Sequence, residues 1–278
     1  MRNVVIIGVG LIGGSFALAL REAGFDGAIT GVSSPATIAE ALRLGVVDRG
    51  APLEEACAGA DLIYLAQPIS RIIDVLYHLN PCVPAGALVT DAGSTKHRIV
   101  STAQEHLTRC RFLGGHPMAG KELRGVGAAD ALLFRDRPYV LCPSDPAELD
   151  TEFVGWLGKI GARVVVLGAE EHDRLVAFSS HLAQLASTAL AATILESSPE
   201  STQVAGPGLV DSTRLALSGY ELWRDIFATN PAAITEALTA YIGKLEHLRE
   251  NLRNRELAAE FERAAGLARQ IRGQADRA

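Results

Sequence analysis

At 278 residues the chain is long enough for one large domain or two modest ones, with a sizeable core. A charged fraction of 21% and a hydrophobic fraction of 48% describe an ordinary globular protein, and a net charge of -6 without a basic tract argues against nucleic acid as a partner. Met1-Arg2-Asn3 leads straight into an apolar run with no signal-peptide pattern, and no stretch of about 18 apolar residues reads as a membrane span, so a cytoplasmic protein without a membrane partner is expected. The four cysteines (Cys57, Cys82, Cys110, Cys142) match neither zinc spacing nor a redox pair, so reduced thiols and no metal are expected.

Residues 4–7 form an apolar, β-branched run, followed by Gly8-Val9-Gly10-Leu11-Ile12-Gly13-Gly14-Ser15 and then a helical pattern that ends near Gly24. A strand, G-x-G-x-x-G and a helix together mark a dinucleotide site. Gly8 permits the tight turn, Gly10 lets the backbone approach a pyrophosphate, and Gly13 lets the helix pack on the strand. The amides around Leu11 and Ile12, at the helix N-terminus, face that pyrophosphate. A second strand at 28–32 ends in Ser33-Ser34 rather than in the acidic residue that marks NAD, with Thr37 soon after. Hydroxyls accept a 2'-phosphate or a 2'-OH, and no arginine sits at this turn, so the cofactor is NADP or NAD with a slight lean to NADP.

A helix at 38–44 and a short strand-like segment at 46–47 come next. A buried strand at 60–66 ends at Gln67-Pro68, which should edge the cofactor because ligands of doubly wound sheets lie at the carboxyl ends of the strands. A helix at 69–79 and a strand at 87–90 lead to Asp91-Ala92-Gly93-Ser94-Thr95-Lys96. Ser94 there is either a group in the ligand crevice or the N-cap of the next helix. A strand at 111–113 then delivers the glycine- and proline-rich stretch 113–120, read as a loop that carries one histidine, His116. Strands at 138–142 and 163–167, with a helix from about 148 to 160 between them, complete a β-α alternation. The fold class expected is an α/β Rossmann-type domain over 1–168, doubly wound with a mostly parallel sheet.

From residue 169 to 278 strand-like runs stop and alanine- and leucine-rich helices follow. One spans 175–195, one follows Gly206-Pro207-Gly208, and a long one starts at Asn230 as N-cap with Pro231 in the first turn. Ile234, Leu238, Tyr241, Leu245, Leu248 and Leu252 form one apolar stripe on it. An all-α C-terminal domain with such a stripe is expected to pack against a second copy, giving a homodimer.

Taken together, these residues resemble the prephenate/arogenate dehydrogenase family of tyrosine biosynthesis. The matching pieces are the Gly8–Ser15 turn, Asp91-Ala92-Gly93-Ser94-Thr95-Lys96, Gly115-His116-Pro117-Met118-Ala119-Gly120, Ser180-His181-Leu182 and Asp211-Ser212-Thr213-Arg214-Leu215-Ala216, with Trp223 nine residues after the arginine. The resemblance implies oxidative decarboxylation of prephenate to 4-hydroxyphenylpyruvate, with hydride transfer from C4 to NAD(P)+ and loss of CO2 driven by aromatisation. It implies that His116 is the base for the C4 hydroxyl, with a pKa near 6 to 7, and that Ser94 hydrogen-bonds the same hydroxyl and orients the histidine. It also implies that Arg214 grips a substrate carboxylate bidentately, that His181 lies in the substrate pocket and that Trp223 walls it. Glu122 and Asp211 match positions where some members carry acids at the pocket mouth. Lys96 and His97 are expected on a helix surface.

The chain departs from the family where many members read H-L-P-H or H-L-P-Q, because it has His181-Leu182-Ala183-Gln184, so Gln184 receives no catalytic role. Arogenate, or both cyclohexadienes, remain alternative substrates. Another dehydrogenase with a Rossmann half and a helical half, such as a β-hydroxyacid dehydrogenase or a pyrroline-5-carboxylate reductase, and a non-catalytic NAD(P)-sensing protein are the remaining alternatives.

Overall fold

The computed structural model describes residues 1–145, 149–253 and 257–275. Strand β1 (Asn3–Ile7) lies in parallel between β2 (Ala28–Val32) and β4 (Leu62–Leu65). A two-residue strand, β3 (Arg49–Gly50), closes one edge, and β5 (Leu88–Asp91), β6 (Arg111–Pro117), β7 (Pro138–Cys142) and β8 (Arg163–Val166) extend the other. The order is β3-β2-β1-β4-β5-β6-β7-β8, and every neighbouring pair is parallel except β6 with β7. This is the Rossmann-type, mostly parallel sheet that the β-α alternation implies.

Alternation along the central strands explains why both faces are covered. Val4 and Ile6 of β1, with Leu62 and Tyr64 of β4, enter one apolar cluster. Val5, Ile7, Ile63 and Leu65 point the other way and enter a second cluster. Successive strand residues face opposite sides, so a run that is apolar throughout needs helices on both. Helix α1 (Leu11–Glu22) supplies Phe16 and Leu20 to the first cluster, and the Phe16 ring stacks on Tyr64 with centroids 4.1 Å apart. On the other face lie the short helix α3 (Leu53–Cys57) and α4 (Ile69–Leu79), which buries Ile69, Ile72, Leu76 and Leu79 in an i, i+3, i+7, i+10 stripe.

Three boundaries differ from expectation. The edge strand forms at Arg49–Gly50 rather than at 46–47; Val46 and Val47 serve as buried packing, and a Cβ at Gly50 would lie 2.3 Å from Ile38 Cγ2. Helix α2 (Pro35–Arg43) begins three residues early because Ser34 caps it, accepting from Thr37 N at 3.3 Å. Helix α6 (Thr151–Lys159) is capped by Asp150, which accepts from Phe153 N at 2.8 Å. Glu148, where that helix was expected to start, lies outside the described residues.

The largest correction concerns the glycine-rich stretch. Gly114, Gly115, His116 and Pro117 are not loop but the second half of β6, paired antiparallel with β7, His116 opposite Val140. The glycines serve close packing: a Cβ on Gly115 would lie 2.4 Å from Asp91 O, and one on Gly114 2.8 Å from Val100 Cγ2. Proline ends the strand because it has no N–H to donate further.

After β8 the chain is helical. Helix α7 (Ala169–Val176), a π-helical turn (Ala177–His181) and α8 (Leu182–Ser197) form one continuous run. By length and composition those 29 residues are apolar enough to cross a membrane. Their buried polar residues His172, Asp173, His181, Gln184 and Ser187 face the interior of the protein instead. Helix α9 (Pro207–Thr213) passes into a 3-10 turn (Arg214–Leu217), followed by α10 (Tyr220–Thr229), α11 (Pro231–Glu250) and α12 (Leu257–Ala275). Ala177, Ile226, Ile234 and Ala237 join the second sheet-face cluster, so the helical half docks on the sheet half through shared core. Asn230 precedes α11 as expected, but its side chain does not cap the helix; Nδ2 donates to Asp173 O at 2.8 Å.

Candidate active site

The turn after β1 shows which of its glycines the fold itself requires. Gly8 has φ +95°, and a Cβ there would lie 2.3 Å from Ala66 O; a Cβ on Gly13 would lie 2.2 Å from Gly8 O. Gly10, N-cap of α1, has nothing within 4 Å of where its Cβ would stand. Packing therefore gives no reason for glycine at position 10, whereas close approach of a ligand to the backbone does. No side chain caps α1, so the amides of its first turn, at Leu11 and Ile12, are free for a pyrophosphate. Across the crevice, at the carboxyl end of β4, Gln67 holds a buried Oε1 with no partner, and Pro68 is exposed beside it. Ser33 follows β2, and Ser34 divides its hydroxyl between capping α2 and Thr37 Oγ1 at 2.9 Å. These features fit a dinucleotide.

At the carboxyl end of β6, two strands from β4, His116 is 9% exposed. Its Nδ1 lies 2.8 Å from Nε2 of His172, whose Nδ1 lies 2.8 Å from Asp173 Oδ1. This chain of contacts fixes the tautomers of both rings. A carboxylate beside His172 Nδ1 requires a proton there, so His172 Nε2 accepts and His116 Nδ1–H donates. Nε2 of His116 is thereby left with its lone pair outside the chain. Asp173 is itself held on several sides: Oδ1 accepts from Lys96 N at 2.7 Å and Oδ2 from His97 N at 2.9 Å. Asp173 thus caps α5 (His97–His106) from the helical half, and the even choice that Ser94 caps that helix is excluded. Ser94 is half-buried on the turn that leaves β5, the strand next to β6.

His172, Asp173 and Lys96 are the residues of this candidate site that sequence reasoning missed or misplaced. Lys96 is not on a helix surface; it is fully buried with Asp91, and the two side chains form an ion pair. Nζ also donates to Gly115 O at 2.7 Å, while Asp91 Oδ1 accepts from Gly115 N at 3.0 Å and Oδ2 from Gly93 N at 2.8 Å. Both polar groups of the residue before His116 are gripped by one charge pair. His97, as expected, is exposed. No local signal marked His172: β7 and β8 run antiparallel to β6, so the rule that places ligands at strand carboxyl ends does not point to the helix after β8.

His181 ends the π-helical turn, a distortion that recurs at functional sites. It is 1% exposed, its Nδ1 is buried without a partner, and its ring meets Trp223 edge-on with centroids 6.0 Å apart. Trp223 Nε1 donates to Ser218 Oγ at 2.9 Å. Arg214 is exposed on its 3-10 turn, with Nη1 3.9 Å from Glu122 Oε1 on the segment after β6; Asp211 is exposed as well.

The electrostatics favour neutral imidazoles. Burial, then the neighbouring His172, Lys96 and His181, hold His116 well below the ordinary histidine value of 6.5, not near 6 to 7 as expected. Burial also lowers His172, against the opposing pull of Asp173, and lowers His181 to about 4. The sign for stability follows from proton counts. Between pH 4 and 6.5 the unfolded chain binds protons that the folded histidines refuse, so folding stability rises with pH across that window. Carboxylates with lowered values, such as Asp225, act only below their ordinary 3.8. Thermal melts from pH 4 to 8 should rise through the window and level above it, and His181→Phe should flatten part of the slope.

Residues 16–166 match the family described as "Prephenate dehydrogenase, nucleotide-binding domain", and residues 168–264 match "Prephenate dehydrogenase, dimerization domain". The chain is 32% identical over 269 residues to the prephenate dehydrogenase of Lactococcus lactis subsp. cremoris, covering 93% of this chain and 73% of that protein. It aligns with the structure of the A. aeolicus prephenate dehydrogenase in complex with hydroxyphenyl propionate and NAD+ at a TM-score of 0.90 and 32% identity, over 98% of each chain. With the arogenate dehydrogenase of Synechocystis the TM-score is 0.81 and the identity 30%, over 99% of each chain.

Proposed function

The chain belongs to the prephenate dehydrogenase family, whose members are NAD(P)-dependent oxidoreductases, and on that premise we propose that it converts prephenate to 4-hydroxyphenylpyruvate, with His116 as the catalytic base. One observation carries the assignment: the contact chain Asp173–His172–His116 leaves Nε2 of a buried, neutral imidazole unprotonated at the carboxyl end of β6. Nε2 takes the proton of the substrate's C4 hydroxyl. Bound NAD(P)+ supplies the acceptor for the hydride that leaves C4. The carboxylate on the opposite ring carbon departs as CO2, its bonding electrons enter the ring and complete the aromatic sextet, and the oxygen on C4 takes the proton back from His116 to give the phenol. Ser94 hydrogen-bonds the same hydroxyl and sets its direction toward His116. Arg214 binds the side-chain carboxylate as a bidentate fork, and His181 and Trp223 form the wall against the ring.

The border between a cofactor half, 1–168, and a substrate and dimerisation half, 169–278, runs just ahead of α7, so His172 and Asp173 reach back across it to His116. Gly8, Gly10, Leu11, Ile12, Gly13, Gln67 and Pro68 hold the dinucleotide. Ser33 and Ser34 at the end of β2 offer hydroxyls and no carboxylate, which favours acceptance of NADP beside NAD. Ser33→Asp should lower kcat/KM with NADP+ by about tenfold or more and spare NAD+, since a carboxylate repels a 2'-phosphate and accepts from a 2'-OH. Steady-state kinetics with each cofactor check this.

A second reading, arogenate as substrate, rests on Glu122. A carboxylate 3.9 Å from the carboxylate-binding guanidinium is where an α-ammonium group would find its counter-charge. Glu122 is highly exposed and so a weak counter-charge, and prephenate is preferred. Purified protein offered each cyclohexadiene with each cofactor decides: reduced nicotinamide and CO2 should appear in equal amounts, and no turnover with either ring would end both readings. The protein acts in the cytoplasm as a homodimer. The stripe on α11 begins buried at Ile234 and emerges at Leu245, 47% exposed, and Phe261 of α12 is 70% exposed, the apolar surface that a second copy would cover. A monomer mass in light scattering at micromolar concentration would contradict the dimer.

A further inference from the structure

The two residues of α8 that are buried are not its leucines but two polar ones, Gln184 and Ser187. Leu190 and Leu195, on the same helix, are 38% and 72% exposed. A helix rich in alanine and leucine that buries polar groups instead must have specific partners for them, because an unpaired buried amide or hydroxyl is costly. Both partners lie on the 3-10 turn that carries Arg214. Gln184 Nε2 donates to Leu215 O at 2.9 Å and to Thr188 Oγ1 at 3.2 Å. Ser187 Oγ accepts from Ala216 N at 3.1 Å. The backbone of the two residues after Arg214 is therefore pinned by one donor and one acceptor, a single helical turn apart.

We propose that Gln184 and Ser187 are positioning residues for the substrate carboxylate, acting through Arg214. The arginine is exposed and its ion pair with the exposed Glu122 is long, 3.9 Å, so that pair does not fix where the guanidinium starts. A 3-10 turn is short and has poorer hydrogen-bond geometry than an α-helix, so it needs outside support to hold one conformation. His181, Gln184 and Ser187 recur at intervals of three on the inward side of the same helical run. That spacing links the pocket histidine rigidly to the arginine's turn: the helix that positions His181 against Trp223 also sets the distance to the anion grip. Trp223 Nε1 holds Ser218 Oγ at the far end of the turn and completes the support. Gln184, to which the sequence assigned no catalytic role, thereby acts as a strut between the helix and the arginine's turn. The inference rests on the reading that Arg214 binds the substrate carboxylate.

The test is a double-mutant cycle on the full chain, with prephenate and cofactor Michaelis constants measured separately. Gln184→Met keeps length and removes the donor, and Ser187→Ala removes the acceptor; each should raise KM for prephenate about fivefold or more, as expected when a backbone partner is left unpaired. Each should leave kcat and the cofactor KM within about twofold, the signature of lost binding that is common to ground and transition states. In an Arg214→Ala background, both substitutions should add nothing further. If Arg214→Ala itself leaves KM for prephenate unchanged, the reading of Arg214 fails and the positioning role with it. If Arg214→Ala raises KM but neither Gln184→Met nor Ser187→Ala does, the positioning role alone is overturned. An additional KM increase in the Arg214→Ala background would also overturn it, because Gln184 would then act on the substrate directly. A lowered melting temperature with unchanged KM would mark the pair as structural only and reject the proposal.

Discussion

The substitution His116→Asn should lower kcat on the order of a hundredfold or more while leaving KM for substrate nearly unchanged. The reason lies in where the lone pair sits. Asparagine presents an amide to the hydroxyl, and an amide does not accept a proton at any pH the protein survives. The strand is kept, because β6 pairs with β7 through its backbone, and the asparagine amide can donate to His172 Nε2 in place of His116 Nδ1. Loss of kcat and of affinity in equal proportion would mean that His116 binds rather than reacts. His172→Phe offers a graded version of the same test. Without the acceptor at His172 Nε2, the His116 ring can carry its proton on either nitrogen, and only one tautomer works.

The largest effect on stability should come from Lys96→Met. Removing one member of a buried ion pair leaves the other charge uncompensated and costs about 3 to 5 kcal/mol. Asp91 would keep two backbone donors, Gly93 N and Gly115 N, but lose its cation. Gly115 O would lose its donor as well, and that carbonyl immediately precedes His116. Turnover should fall together with stability. Asp91→Asn added to Lys96→Met removes the stranded charge and should recover part of the stability without recovering turnover. Denaturant unfolding of the natural chain and the two variants checks the order; equal stability of Lys96→Met and the natural chain would show that Asp91 is not left as an uncompensated buried charge.

The cofactor half was legible because its signals are local. The spacing of Gly8, Gly10 and Gly13 and the apolar strand before them specify a turn whose backbone the structure reproduces. What remained hidden depends on contacts across the chain. Gly114 and Gly115 read as loop because glycine is the commonest loop residue; their actual cause, the closeness of Asp91 O and Val100, lies in other elements. Lys96 read as surface because lysine is almost never fully buried unless paired, and its partner is set by how β5 leads into α5. Asp173 lies 77 positions from the amide it caps, beyond the reach of any local pattern. Gln184 received no role because Ala183 breaks the motif beside it, while its partner is a carbonyl 31 residues away.

The reading of His116 as a base with a lowered pKa is tested most directly by the pH dependence of kcat/KM for prephenate, which reports ionisations of the free enzyme. Activity should fall with acid only below the ordinary histidine value of 6.5, because burial and the neighbouring cationic and imidazole groups disfavour the protonated ring. The same acid limb should be absent from the residual activity of His116→Asn. A limb centred at 6.5 that persists unchanged in His116→Asn would contradict the account, for it would mean that another group takes the proton.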